Sequence, residues 1–230
     1  MKDSHVLNTT NTTNTTNTTY LINKFNCKIK IPQNITKLFT GYHFNKKIII
    51  PKNITYLSFG YRFNQKIKIP KNINHLSFEN CFNQKIKIHN KINYLSFGYQ
   101  FNHKIKIPKN INHLFFENDY IQKIKIPQNI IKLGILWNSI NIKIPHNVTH
   151  LCIKYKTVKI PQNVTHLDIN MVGHKIQNKL IIIPKNIIYL TLRNCFNQII
   201  QIPSHVTHLK ICQHSINNFT IPKHIKVLYL

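Results

Sequence analysis

The sequence predicts a β-rich repeat solenoid of about eleven 19-residue units joined through parallel strand ladders. Three observations predict it. Ten prolines, from Pro32 to Pro222, recur mostly at 19-residue intervals, and His89 fills the one vacant slot. A leucine stands six residues after every register point, from Leu38 to Leu228, and an Ile or Val stands three after it. Short alternations such as Ile67-Lys68-Ile69 and Leu76-Ser77-Phe78 carry the period of extended chain.

Each element of the unit has its own reason. The stretch from Ile69 to Lys87, IPKNINHLSFENCFNQKIK, is too short for a strand plus an ordinary helix. It reads instead as two short strands and two corners. The proline directly after Ile67-Lys68-Ile69 lacks an N–H and has a fixed φ, which suits a corner. Asparagines recur two residues after the register point (Asn53, Asn72, Asn110) and after a phenylalanine (Asn45, Asn64, Asn83), where their side chains can satisfy backbone at turns. One coil cannot bury its own apolar face. Stacked coils bury a continuous Ile/Leu/Phe column.

The recurrent Phe-Asn, Ile and Ile-Pro, as in Phe63-Asn64…Ile67…Ile69-Pro70, resemble the FNIP repeat. That family resembles leucine-rich repeats and is abundant in slime moulds and giant viruses. The resemblance spans about residues 21–230 and is carried by Phe25-Asn26, Phe44-Asn45, Phe63-Asn64, Phe82-Asn83, Phe101-Asn102 and Phe196-Asn197. It departs between Tyr120 and Lys179, where Phe-Asn is lost. The resemblance implies a leucine-rich-repeat-like recognition solenoid. Family members often carry an N-terminal F-box; some twenty residues precede the repeats here, so the chain is expected to lack one.

Residues 1–19, including NTTNTTNTTNTT, read as a disordered Asn/Thr-rich tail, and 20–230 as the solenoid. Proline spacings of 18, 16 and 23 mark irregular units at about 137–183, with an insertion at Met171–Lys179 that reads as repeat decay or as a functional loop. Leu230 is expected to end on an uncapped coil, open to self-association.

Charge narrows the function. The 230 residues carry 32 Lys plus Arg against 5 acids, a formal net charge of +27. With only Asp3, Glu79, Glu117, Asp119 and Asp168, acid–base and hard-metal chemistry is poorly supplied, and no cofactor or catalytic residue is assigned. No apolar run is long enough to span a bilayer, and no signal peptide is visible. Five cysteines (Cys27, Cys81, Cys152, Cys195, Cys212) without a CxxC pair point to a reduced, intracellular compartment, cytoplasmic or nuclear.

Two surfaces follow from the alternation. On the strand after each proline, Tyr56, His75, Tyr94, His113, His150, His166, Tyr189 and His208 point outward beside Ser58, Ser77 and Ser96. Such a Tyr/His row suits recognition of a protein partner, and its charge is expected to rise as the pH falls toward 6. On the stretch before each proline, Lys28, Lys30, Lys47, Lys66, Lys68, Lys85, Lys87, Lys104, Lys106, Lys123 and Lys125 form a two-wide ladder. That ladder could follow a nucleic-acid backbone, or simply keep a flat sheet solvated. A metal site lacks ligands at ordinary spacing. Cys152 with His150, His166 and Asp168 is the nearest approach to a nucleophile constellation.

Overall fold

One short strand per coil, built around the repeating leucine, organises the structure. It is a computed structural model, and it describes residues 19–22, 31–117, 124–136, 143–153, 160–170, 182–193, 200–212 and 221–230. The chain divides into two segments, Met1–Pro127 and Gln128–Leu230. The first holds β1 (Thr19–Ile22), β2 (Lys37–Thr40), β3 (Tyr56–Phe59), β4 (His75–Phe78), β5 (Tyr94–Phe97) and β6 (His113–Phe116), each paired in parallel with the next. The second holds β7 (Lys132–Ile135), β8 (His150–Ile153), β9 (His166–Asn170), β10 (Tyr189–Arg193), β11 (His208–Ile211) and β12 (Lys226–Tyr229), again parallel and in order. Each segment is therefore a parallel, leucine-rich-repeat-like β-solenoid. No helix among the described residues is long and apolar enough to cross a membrane.

Alternation sends every second strand residue inward. In the first segment Leu57, Leu76, Leu95 and Leu114 are fully buried, and so are Phe59, Phe78, Phe97 and Phe116 two residues on. A second phenylalanine column, Phe44, Phe63, Phe82 and Phe101, comes from the Phe-Asn positions. The two columns interlock. Phe78 stacks on Phe82 at 3.8 Å between centroids and Phe97 on Phe101 at 3.9 Å, while Phe82 lies 6.1 Å from Phe101 in the next coil. Burying one such ring is worth about 1.5–3 kcal/mol, with about 0.5–1.5 more for good ring pairing. In the second segment the inward position after each leucine holds Ile135, Ile153, Ile169, Leu192 and Ile211 instead.

The corners keep their backbone satisfied by stacking. After eight of the prolines, from Pro51 to Pro222, the N–H three residues on returns to the proline carbonyl, as in Ile54 to Pro51 (3.3 Å) and Ile73 to Pro70 (3.2 Å). His89 replaces a proline, and its Nε2 lies 2.8 Å from the Pro70 carbonyl of the previous coil. The Phe-Asn asparagines form a ladder: Asn45 Oδ1 accepts from the Asn64 N–H and Gln65 Nε2, and Asn64 Oδ1 accepts from the Asn83 N–H and Gln84 Nε2. The asparagines after proline donate to the preceding coil, Asn53 to the Ile35 carbonyl and Asn72 to that of Lys52 at 2.5 Å. The expected structural role of asparagine is what these bonds show.

Two readings need correction. The stretch before each proline is not a second strand: residues 65–69, 84–88 and 103–107 lie outside the ladders. Alternation alone makes a chain extended; a ladder also needs the neighbouring coil at hydrogen-bonding distance, which sequence period does not report. The final leucine also leaves the column. In β12, Val227 stands beside Leu209 and Leu228 beside the outward Lys210, one residue out of register. Leu228 is 49% exposed. The slip places Val227 at the inward position beside Leu209 and Lys226 beside His208 on the outer column.

Of the Asn/Thr tail expected over 1–19, Thr19 instead opens β1 and pairs with Lys37, while residues 1–18 and the insertion at 171–179 lie outside the described residues, as do Phe25-Asn26, Phe196-Asn197, Cys27 and Cys195.

Candidate recognition face

The outward strand positions form two columns. The first, in the first segment, is Tyr56, His75, Tyr94 and His113, held opposite one another by the strand register. Its first three rings stack face to face, Tyr56 on His75 at 3.8 Å and 11° and His75 on Tyr94 at 3.8 Å and 13°, while His113 stands off Tyr94 at 6.0 Å and 29°. Phe39 leans on Tyr56 at 4.9 Å. In the second segment His150 stacks on His166 at 3.9 Å, His166 on Tyr189 at 4.2 Å and Tyr189 on His208 at 4.3 Å. All eight predicted residues thus fall into columns of rings, four in each segment.

Stacking follows from the coil repeat. Parallel strands lie about 4.8 Å apart, and flat rings tilted slightly fill that interval better than branched side chains do. The residue before the ring fixes it further. Thr149 Oγ1 lies 2.9 Å from His150 Nδ1, Thr165 Oγ1 2.9 Å from His166 Nδ1 and Thr207 Oγ1 2.8 Å from His208 Nδ1. Asn112 Oδ1 takes that place for His113, at 2.5 Å.

The stack changes the electrostatics expected from histidine. Burial between two tyrosines lowers His75 to about 4, with the nearby His113 adding to the shift. Burial, then the Lys132 and His208 charges, lower His166 as well. The expected gain of charge toward pH 6 therefore does not occur at His75 and is opposed at His166. Desolvation raises the Tyr56 phenol; it also raises that of Tyr94, joined by the Tyr56 and Glu117 charges and opposed by a hydrogen bond to Ser96. At pH 7 His75 is therefore a neutral ring between two neutral phenols.

The second outward column of the first segment is small only over β3–β5, with Phe39 and Phe115 at its two ends. Ser77 Oγ donates to Ser58 Oγ at 2.8 Å, and Ser96 is nearly buried. In the second segment it holds Gly134, Cys152, Asp168, Thr191 and Lys210. Arg193 clamps Asp168 with Nε at 2.9 and 2.8 Å from its two oxygens and a terminal nitrogen at 2.7 Å. That clamp raises the Arg193 guanidinium and occupies the one carboxylate that could have oriented a histidine beside Cys152.

Glu79 and Glu117, at the ends of β4 and β6, were not anticipated as part of this face. Desolvation raises both carboxyls, and the Glu79 charge adds to the rise at Glu117. Between them lies Gly98, where a Cβ would meet the Glu79 carbonyl carbon at 2.3 Å. The signal was present in the sequence: coils with Tyr-Leu-Ser-Phe-Gly-Tyr (56–61, 94–99) alternate with coils with His-Leu-Ser-Phe-Glu-Asn (75–80), a 38-residue period inside the 19-residue one.

On the stretch before each proline, Lys47, Lys66, Lys68, Lys85, Lys87, Lys104, Lys106 and Lys125 are all exposed. Lys28, Lys30 and Lys123 lie outside the described residues. The alternation the ladder relied on survives without a second strand. Among the described residues, no group of three His, Cys, Asp or Glu side chains is placed to hold a metal ion, and Cys81, Cys152 and Cys212 form no disulfide.

The family model for the FNIP repeat matches residues 25–62 and 44–81. No curated protein matches the chain. Among solved structures, the crystal structure of CroV588, described as a novel circular LRR protein, superposes with a TM-score of 0.55 at 24% identity, covering 87% of this chain. This chain spans 37% of that structure's length.

Proposed function

We propose that this chain, a FNIP-repeat protein of leucine-rich-repeat-like fold, is a non-catalytic scaffold that recognises another protein through the Tyr/His strand face. One observation carries the reading. The outward rings of Tyr56, His75 and Tyr94 are locked by mutual stacking before any partner arrives. Locked rings lose little further freedom on binding, and ring edges with one polar atom each suit a mixed apolar and hydrogen-bonding contact. The neighbouring Ser58–Ser77 pair leaves room for a partner to approach.

The non-catalytic part of the reading rests on how the nearest nucleophile constellation is arranged. Asp168 is held by Arg193, and His166 Nδ1 is engaged by Thr165 rather than by a carboxylate. A hydrolytic Cys–His pair needs its base oriented by a third group. That Cys81, Cys152 and Cys212 form no disulfide supports an intracellular site of action.

The test is affinity capture from host-cell lysate after nuclease treatment, comparing the native chain with Ser58→Arg/Ser77→Arg and with His75→Ala/Tyr94→Ala/His113→Ala. The arginine pair blocks the face without disturbing the stack, so thermal melting should stay near native. A stoichiometric protein partner lost in both variants is expected. A partner retained by the arginine variant would place recognition elsewhere and overturn the reading.

A further inference from the structure

We propose that the lysine columns of the first segment bind the sugar–phosphate backbone of a nucleic-acid duplex without reading its base sequence. This surface lies on a different stretch of each coil from the Tyr/His face and stands or falls independently of it. Lys66, Lys68, Lys85, Lys87, Lys104 and Lys106 occupy three successive coils, two per coil, and all six are exposed. At the adjoining Phe-Asn column equivalent rings lie 6.2, 6.2 and 6.1 Å apart from coil to coil, so two lysines per coil give one positive charge per about 3 Å, against the about 2.4 Å that ladder spacing would give. A duplex carries one negative charge per about 1.7 Å. The two line densities are comparable, and contact would release counterions from both.

Among the described residues no carboxylate lies on these lysine stretches. The described carboxylates are Glu79, Glu117 and Asp168, all on or at the end of ladder strands, and the ion pair among the described residues is Arg193–Asp168. Like-charged lysines held this close repel one another, so an anionic partner relieves a cost already present in the fold.

The side chains also choose among polyanions. Base readout uses bidentate arginine, and neither arginine is on this stretch: Arg62 lies over the Tyr42 ring at 5.9 Å and Arg193 is clamped to Asp168. Single strands are held by aromatic platforms, and residues 65–69, 84–88 and 103–107 include no Phe, Tyr or Trp. Membrane surfaces are held by apolar side chains inserted among the lysines, whereas the large exposed apolar residue on these described stretches of the segment is Ile49 alone. A duplex, with its bases turned inward and its phosphates out, fits what remains.

The experiment uses the full chain and fluorescence anisotropy with short labelled DNA and RNA duplexes, the corresponding single strands, and phosphatidylserine vesicles. Duplex affinity should fall about a thousandfold between about 50 and 200 mM salt, as about six phosphate contacts require. Substituting Lys66, Lys68, Lys85, Lys87, Lys104 and Lys106 by Gln should cost at least about a hundredfold and flatten the salt dependence. The same six changed to Arg should bind as well as native. A charge-matched control, Lys132, Lys143, Lys185, Lys210, Lys223 and Lys226 to Gln, should lose less than about fivefold, since those residues lie outside the array. Matching melting curves establish that the variants are folded. Equal losses in the two Gln variants, tighter binding to single strands or vesicles, or binding to neither duplex would each overturn the proposal.

Discussion

The imidazole of His75 lies between two phenols, 3.8 Å from the Tyr56 centroid and 3.8 Å from that of Tyr94, within 13° of parallel to both. A protonated ring in that slot would lose hydration on both faces, which is why its pKa sits near 4. In the unfolded chain the same group titrates near 6.5. Between those values the unfolded state holds more protons, so stability rises with pH through the window and is lost as the pH falls from about 6.5 toward 4. His75→Phe keeps a flat ring and removes the titration. Urea unfolding at pH 7 and at pH 4.5 should show a smaller acid loss in the variant than in the native chain. An equal loss would place the acid sensitivity elsewhere.

Phe82 touches Phe78, Phe63 and Phe101 and is almost wholly buried. Removing it empties the crossing point of both phenylalanine columns. Phe82→Ala should cost about 3–5 kcal/mol, read as a drop in the urea midpoint with little change in slope. Phe82→Leu should recover more than half of that.

Gly98 packs against backbone, where little can yield. A methyl at this position would sit 2.3 Å from the Glu79 carbonyl carbon and 2.5 Å from its oxygen. Gly98→Ala should therefore destabilise by about 1–3 kcal/mol, against the usual gain from replacing glycine. Denaturant titration decides the sign.

Asn64 spends one oxygen on two donors, the Asn83 N–H at 2.9 Å and Gln84 Nε2 at 3.0 Å. Asn64→Leu leaves both without their partner at a water-accessible corner and should cost about 1 kcal/mol. Asn64→Asp keeps an acceptor and should stay near native. Amide exchange at Asn83, faster in the Leu variant alone, would locate the effect.

The periodic part of this fold was legible in the residues themselves. Proline spacing, the leucine column and the outward Tyr/His row all follow from a 19-residue repeat, because a repeat fixes which side chains meet in neighbouring coils. What the repeat leaves open is how far apart the coils lie at each point around the turn. Residues 65–69 alternate as a strand should and still make no ladder. Register at β12 departs from the repeat as well: Leu228 keeps the spacing from Pro222, yet Val227 rather than Leu228 stands beside Leu209. The shifted histidines escaped notice too, since desolvation depends on ring-to-ring distance rather than on residue type. The Glu79–Gly98–Glu117 alternation was readable and was masked by the stronger 19-residue signal.

That alternation gives the first segment a polarity of spacing. A partner fitted to Tyr56 and His75 meets the same pair again at Tyr94 and His113, two coils or about 9.6 Å along the stack. Displaced by a single coil, it would find an imidazole where it required a phenol, and a carboxylate where glycine had left clearance. Sliding along such a surface is quantised in double steps, like a key that turns only at every second notch.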